Sequence, residues 1–108
     1  MQDKELENIY QAAAESYQVP FSELRHSKLR TSEICHPRFA MTAYIRSQYR
    51  YSLPQICRML GLSSHKSILN RLQAHSDLMD TDGDYARCAK QFFGQAIRAR
   101  RELNQVTK

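Results

Sequence analysis

Apolar residues recur at helical spacing along most of this chain. Between Lys4 and Tyr17, the residues Leu6, Ile9, Tyr10, Ala13, Ala14 and Tyr17 share a face, and Asp3, Glu5 and Glu7 stand where a helix dipole favours carboxylates. The pattern predicts a first helix. A short amphipathic turn is expected at Phe21 to Leu24, after Pro20, and a basic loop beyond it. Pro37 suits the first turn of a helix, where its missing N–H costs nothing. A third helix is therefore expected to start near Pro37 and run to about Tyr49, with Met41, Tyr44, Ile45 and Gln48 on one face.

Leu53, Ile56 and Leu60 then recur at i, i+3 and i+7, and Ile68 and Leu72 at i and i+4 beyond Gly61. Each side of the glycine thus carries one apolar helical face. Glycine takes a left-handed conformation without a Cβ penalty, and Ser63 and Ser64 are suited to N-capping a second helix. The spacing predicts a helix, a tight turn and a second helix over about 53–78. Asp-Thr-Asp-Gly-Asp reads as a turn, with Asp82 or Asp84 capping a last helix over about 84–104 striped by Tyr85, Cys88, Ala89, Phe92, Ala96 and Leu103. With no β alternation or internal repeat, the expected class is all-α, a single small multi-helix domain over residues 1–108.

Charge sharpens this picture. Residues 1–24 carry net −4, residues 25–75 carry nine basic side chains against Glu33 alone for net +8, and residues 76–108 carry +1. A helical surface of one sign is the electrostatic footprint of polyanion binding, and here it coincides with the two-helix unit. In a helix-turn-helix the second helix enters the major groove with its N-terminal residues against base edges. In this chain those residues are Ser64, His65, Lys66, Ser67 and Asn70, with Gln73 further along the polar side. Lys66 suits guanine O6 and N7, and Asn70 suits adenine. Arg46, Arg50 and Arg58 are candidates for phosphate neutralisation.

The order of features from Asn8 to His75 is Asn-Ile-Tyr-Gln-Ala-Ala-Ala-Glu-Ser-Tyr-Gln-Val-Pro-Phe-Ser-Glu-Leu, a basic loop, His-Pro-Arg-Phe-Ala-Met, Ser-Leu-Pro-Gln-Ile-Cys-Arg-Met-Leu-Gly and Ser-His-Lys-Ser-Ile-Leu. It resembles the C-terminal DNA-binding domain of the bacterial replication initiator DnaA over about two-thirds of the chain. The resemblance implies a Trp-repressor-like helix-turn-helix domain, here with an extra C-terminal helix. It also implies that Arg38, Arg46, Ser52, Leu53 and Pro54, and His65 with Ser67, correspond to DNA-contacting positions. Arg46 and the helix start at Leu53 would hold phosphates, His65 would approach bases, and Arg30, or else Lys28, would enter the minor groove. Leu62, Ser63 and Ser64 replace the family's Gly-Arg-Asp before the histidine, and Lys66 replaces the Thr after it. An acidic acceptor for cytosine is thereby lost and a donor for guanine gained, so the family's recognition sequence is not carried over.

Other chemistry finds little footing. Gly61, Gly83 and Gly94 are isolated, so the chain carries no phosphate-binding glycine loop and no ATPase of its own is expected. Cys35 adjoins His36, but no pairing has the spacing of a nucleophile with its base or of a zinc site, so no catalysis, cofactor, metal or small-molecule substrate is expected. Cys35, Cys57 and Cys88 stand apart without a CxxC pair, and the acidic N-terminus and absence of a long apolar run point to a cytoplasmic, nucleoid-associated protein without a membrane span. The expected partner is double-stranded DNA, with a role in replication or transcription. The stripe of Tyr85, Phe92, Phe93 and Ala96 either completes the core or pairs the chain with a second copy or with a replication or transcription protein, which makes an interaction module the rival reading.

Overall fold

Six helices form among the described residues: α1 (Asp3–Tyr17), α2 (Phe21–His26), α3 (Ser32–Gln48), α4 (Leu53–Leu60), α5 (His65–Thr81) and α6 (Gly83–Val106). The computed structural model describes residues 1–28 and 30–106, with side chains as far as residue 104. No strand occurs among them, and the class is all-α. No helix is long and apolar enough to cross a membrane.

The third helix begins earlier than proline placement suggests. Thr31 is its extended N-cap residue, its carbonyl accepting from the N–H groups of Ile34 (3.1 Å) and Cys35 (2.9 Å), so Pro37 lies inside the helix. An interior proline removes one backbone hydrogen bond and crowds the preceding turn. Here Ile34 and Pro37 are both buried, and that burial offsets the local penalty. The turn between the last two helices is likewise shorter than its composition suggests. Asp82 alone separates them: its carboxylate accepts from the Tyr85 N–H at 3.1 Å and its carbonyl from the Ala86 N–H at 3.0 Å.

Helix α3 is central, packing against α1, α5 and α6, while α1 lies along α6. Alanines on α1 (Ala12, Ala13, Ala14) and on α6 (Ala89, Ala96) are buried and allow close approach. Met41, Tyr44 and Ile45 of α3, Ile56 of α4, Ile68 of α5 and Phe92 of α6 are each no more than 1% exposed. The ring of Phe92 packs edge-on against Tyr44 (5.4 Å between centroids) and Phe93 (5.6 Å), in the tilted geometry that aromatic quadrupoles favour. The stripe of Tyr85, Ala89, Phe92 and Ala96 thus completes the core of the chain itself, and Phe93, half-buried, stacks on His75 of α5. Pairing through these residues would first have to expose Phe92.

Candidate nucleic-acid interface

The start of α4 is fixed by a reciprocal cap. Ser52 Oγ accepts from the Gln55 N–H (3.4 Å), and Gln55 Oε1 accepts from the Ser52 N–H (2.8 Å). Pro54 has no N–H to offer, and the Ile56 N–H bonds the Ser52 carbonyl at 3.0 Å, so the backbone donor left at the helix start is that of Leu53. The Leu53 side chain packs against the core, so Leu53 faces outward through its backbone. Behind this helix start, Tyr51 stacks on Tyr49 (5.5 Å, 12°), Arg100 of α6 lies 4.2 Å from the Tyr49 ring, and the Tyr49 hydroxyl donates to the Glu5 carboxylate. Burial, and then the Glu5 bond, hold the Tyr49 phenol above its ordinary range, so it stays a donor. Arg46 donates to the Tyr51 carbonyl at 3.1 Å from an exposed position, which steadies the same segment.

Gly61 ends α4 with φ +67°, and the Leu62 N–H reaches back to the Cys57 carbonyl at 2.9 Å. The buried Cys57 thiol donates to the Ser64 carbonyl at 3.4 Å, tying the far side of the turn to α4. Ser64 occupies the N-cap position of α5 with extended backbone, but its hydroxyl makes no cap bond; it lies 3.4 Å from the Ser67 hydroxyl. The fully buried Ile68 then fixes the rotation of α5, so that His65, Lys66, Leu69, Asn70 and Gln73 are exposed. The exposed Gln73 amide donates along the helix to Asp77 at 3.0 Å. Leu69, at 54%, is the one large apolar side chain left exposed among the described residues, and the sequence pattern did not single it out.

A groove of about 700 Å³ opens between the α2–α3 loop, the turn after α4, and α5. It brings together five of the residues expected at the interface: Lys28, Arg30 and Arg38 from the loop side, and Ser67 and Asn70 from α5. Arg25 and Arg71, which sequence reasoning missed, line it too, and among the described residues no carboxylate does. Arg71 follows Ser67 by four residues, so helical spacing alone puts it on the same face. Outside this groove lie Ser52 and Leu53, at the start of α4, and Arg46, in the last turn of α3, while Ser64, His65 and Lys66 form the leading end of α5.

Arg38 has a structural duty as well. Its Nε and Nη2 donate to the Leu24 carbonyl (3.3 and 2.9 Å), and Nη2 also donates to the Ser27 carbonyl (2.7 Å). These carbonyls close the C-terminal end of α2, where a cation also suits the helix dipole. Arg38 is therefore a shaper of the basic loop before it is a contact to anything outside. Arg25 lies over the Tyr10 ring at 4.5 Å. No protein-family model matches the chain, so its function is to be read from the chemistry of this surface.

Proposed function

We propose that the chain binds double-stranded DNA in a sequence-dependent way, laying the leading end of α5 into the major groove while the basic loop and the start of α4 hold the phosphate backbone. The observation that carries this reading is the convergence of Lys28, Arg30 and Arg38 with Ser67 and Asn70 in one carboxylate-free groove beside the exposed His65 and Lys66. A helix is about 10–12 Å across and the major groove about 12 Å wide, so α5 fits there by size. On this reading His65, Lys66 and Asn70 supply donors to base edges, and Leu69 offers the apolar contact that suits a thymine methyl group. With the resemblance to the initiator's DNA-binding domain, this reading makes the chain a regulator of replication or transcription.

The rival reading, a protein-interaction module docking through the C-terminal aromatic helix, has less support because Tyr85, Phe92 and Ala96 are buried. Selection of binding sites from a random duplex library tests the proposal. The expected result is an enriched motif whose preference at one or two base pairs weakens by about 1–3 kcal/mol in Lys66→Ala and in His65→Ala. A library that yields no motif, or variants that both keep the full preference, would overturn this placement of α5.

A further inference from the structure

Arg71 is a charged side chain held at the contact between two helices. It lies on α5 in the interface with α3, one turn beyond the buried Ile68, and is itself only partly exposed. Its Nη1 donates to Thr42 Oγ1 at a long 3.4 Å, and that hydroxyl is already engaged in donating to the Arg38 carbonyl at 2.8 Å. Arg38 lines the same groove, and burial, then the charge of Arg38, pulls Arg71 below its ordinary value. The one ion pair among the described residues is Arg87 with Asp84 on the outside of α6, so among them neither Arg38 nor Arg71 has an acidic partner. Both groups are guanidinium cations; the Leu24 and Ser27 carbonyls compensate Arg38 in part, and an anion between the two would offset the repulsion that remains.

We propose that Arg38 and Arg71 form a seat for a phosphate group, and that on duplex DNA this is a backbone phosphate anchored between the basic loop and α5. The second half rests on the DNA-binding reading; the first half stands on the groove alone. A phosphate suits the seat better than a carboxylate, because the Arg71 guanidinium and the Nη1 of Arg38, which makes no bond to the Leu24 or Ser27 carbonyls, can meet several of its oxygens, and Ser67 adds a neutral donor. An anion there also removes the Arg38–Arg71 repulsion across α3 and α5, so occupancy should tighten the packing that orients α5. The seat thereby links the loop's contact to the helix's contact through one fixed point.

The test compares the full chain with Arg71→Met, which keeps an unbranched stem without charge, and with Arg71→Lys, which keeps the charge and loses the fork. Duplex affinity is measured against salt, and melting temperature is measured in inorganic phosphate and in chloride at equal ionic strength. The expected result is a log–log salt slope shallower by about 0.9 in Arg71→Met, with affinity reduced about tenfold or more, while Arg71→Lys keeps the slope but binds more weakly. Inorganic phosphate should raise the melting temperature of the parent chain and leave that of Arg71→Met unmoved. If the parent binds duplex and Arg71→Met has the same slope, the seat's role on the DNA backbone is refuted and the DNA reading survives. If the parent binds no duplex yet phosphate stabilises it only when Arg71 is present, the seat holds for a free phosphate and the DNA reading fails. If neither duplex nor phosphate distinguishes Arg71→Met from the parent, the seat is refuted.

Discussion

Replacing Gly61 by alanine should destabilise the protein, and replacing Gly94 by alanine should stabilise it, although both changes add the same methyl group. A Cβ at either position meets no atom within 4 Å, so no clash contributes and only backbone preference decides the sign. Gly61 has φ +67°, where an L-residue other than glycine costs about 1–2 kcal/mol; a stiffer unfolded chain offsets part of that, leaving a net loss of about 1 kcal/mol. Gly94 lies inside α6 (Gly83–Val106), where alanine is favoured over glycine by about 1 kcal/mol. With an unfolding entropy of about 2.1 cal/mol/K per residue, a chain of 108 residues shifts by about 4 °C for each kcal/mol. Thermal melts followed by circular dichroism should therefore place Gly61→Ala about 4 °C below the parent and Gly94→Ala about 4 °C above it. Gly61→Asn should fall between Gly61→Ala and the parent, since asparagine tolerates the left-handed region. Shifts in the same direction for Gly61→Ala and Gly94→Ala would refute the claim that the turn before α5 depends on this one conformation.

Two further outcomes concern the core. Phe92→Ala should cost about 3–5 kcal/mol, a drop of roughly 13–22 °C, with no change in oligomeric state by light scattering; a variant that lost self-association while melting normally would show that the ring serves an interface instead. His75 is held below its ordinary pKa by burial and faces Tyr85 and Phe93 of α6, its Nδ1 lying 2.6 Å from the Tyr85 hydroxyl. Its proton therefore binds the unfolded chain more readily, so its contribution to stability is present above about pH 6.5 and is lost as pH falls through the lower folded value. Urea unfolding at pH 7.5 and 5.5 should show a decline that His75→Gln reduces, and an equal decline in both proteins would remove His75 as its source.

Much of this architecture was legible from spacing because each helix buries a face set by its own periodicity. Ile56 and Ile68 bracket Gly61 at distances that only a helix, a turn and a helix reconcile, and Tyr85, Phe92 and Ala96 repeat at intervals that carry α6 across the core. What escaped was settled by contacts between distant segments. Pro37 signals a helix start locally, yet burial of Ile34 and Pro37 draws the preceding turn into α3. The engagement of Arg38 with the Leu24 and Ser27 carbonyls depends on how α2 folds back on α3. Arg71 reads as an ordinary polar residue until the packing of α3 on α5 brings Arg38 beside it.

Recognition of a double helix by α5 is best tested by competition for a labelled duplex between unlabelled duplex and single-stranded DNA of equal phosphate number, repeated over a range of salt. Duplex should displace the probe at markedly lower concentration. Affinity should fall with salt by about 0.9 log units per log unit for each phosphate engaged, near −3.6 overall if Arg25, Lys28 and Arg30 each meet one and Arg38 and Arg71 share one. Equal displacement by the single strand, or an affinity indifferent to salt, would contradict duplex recognition through this surface.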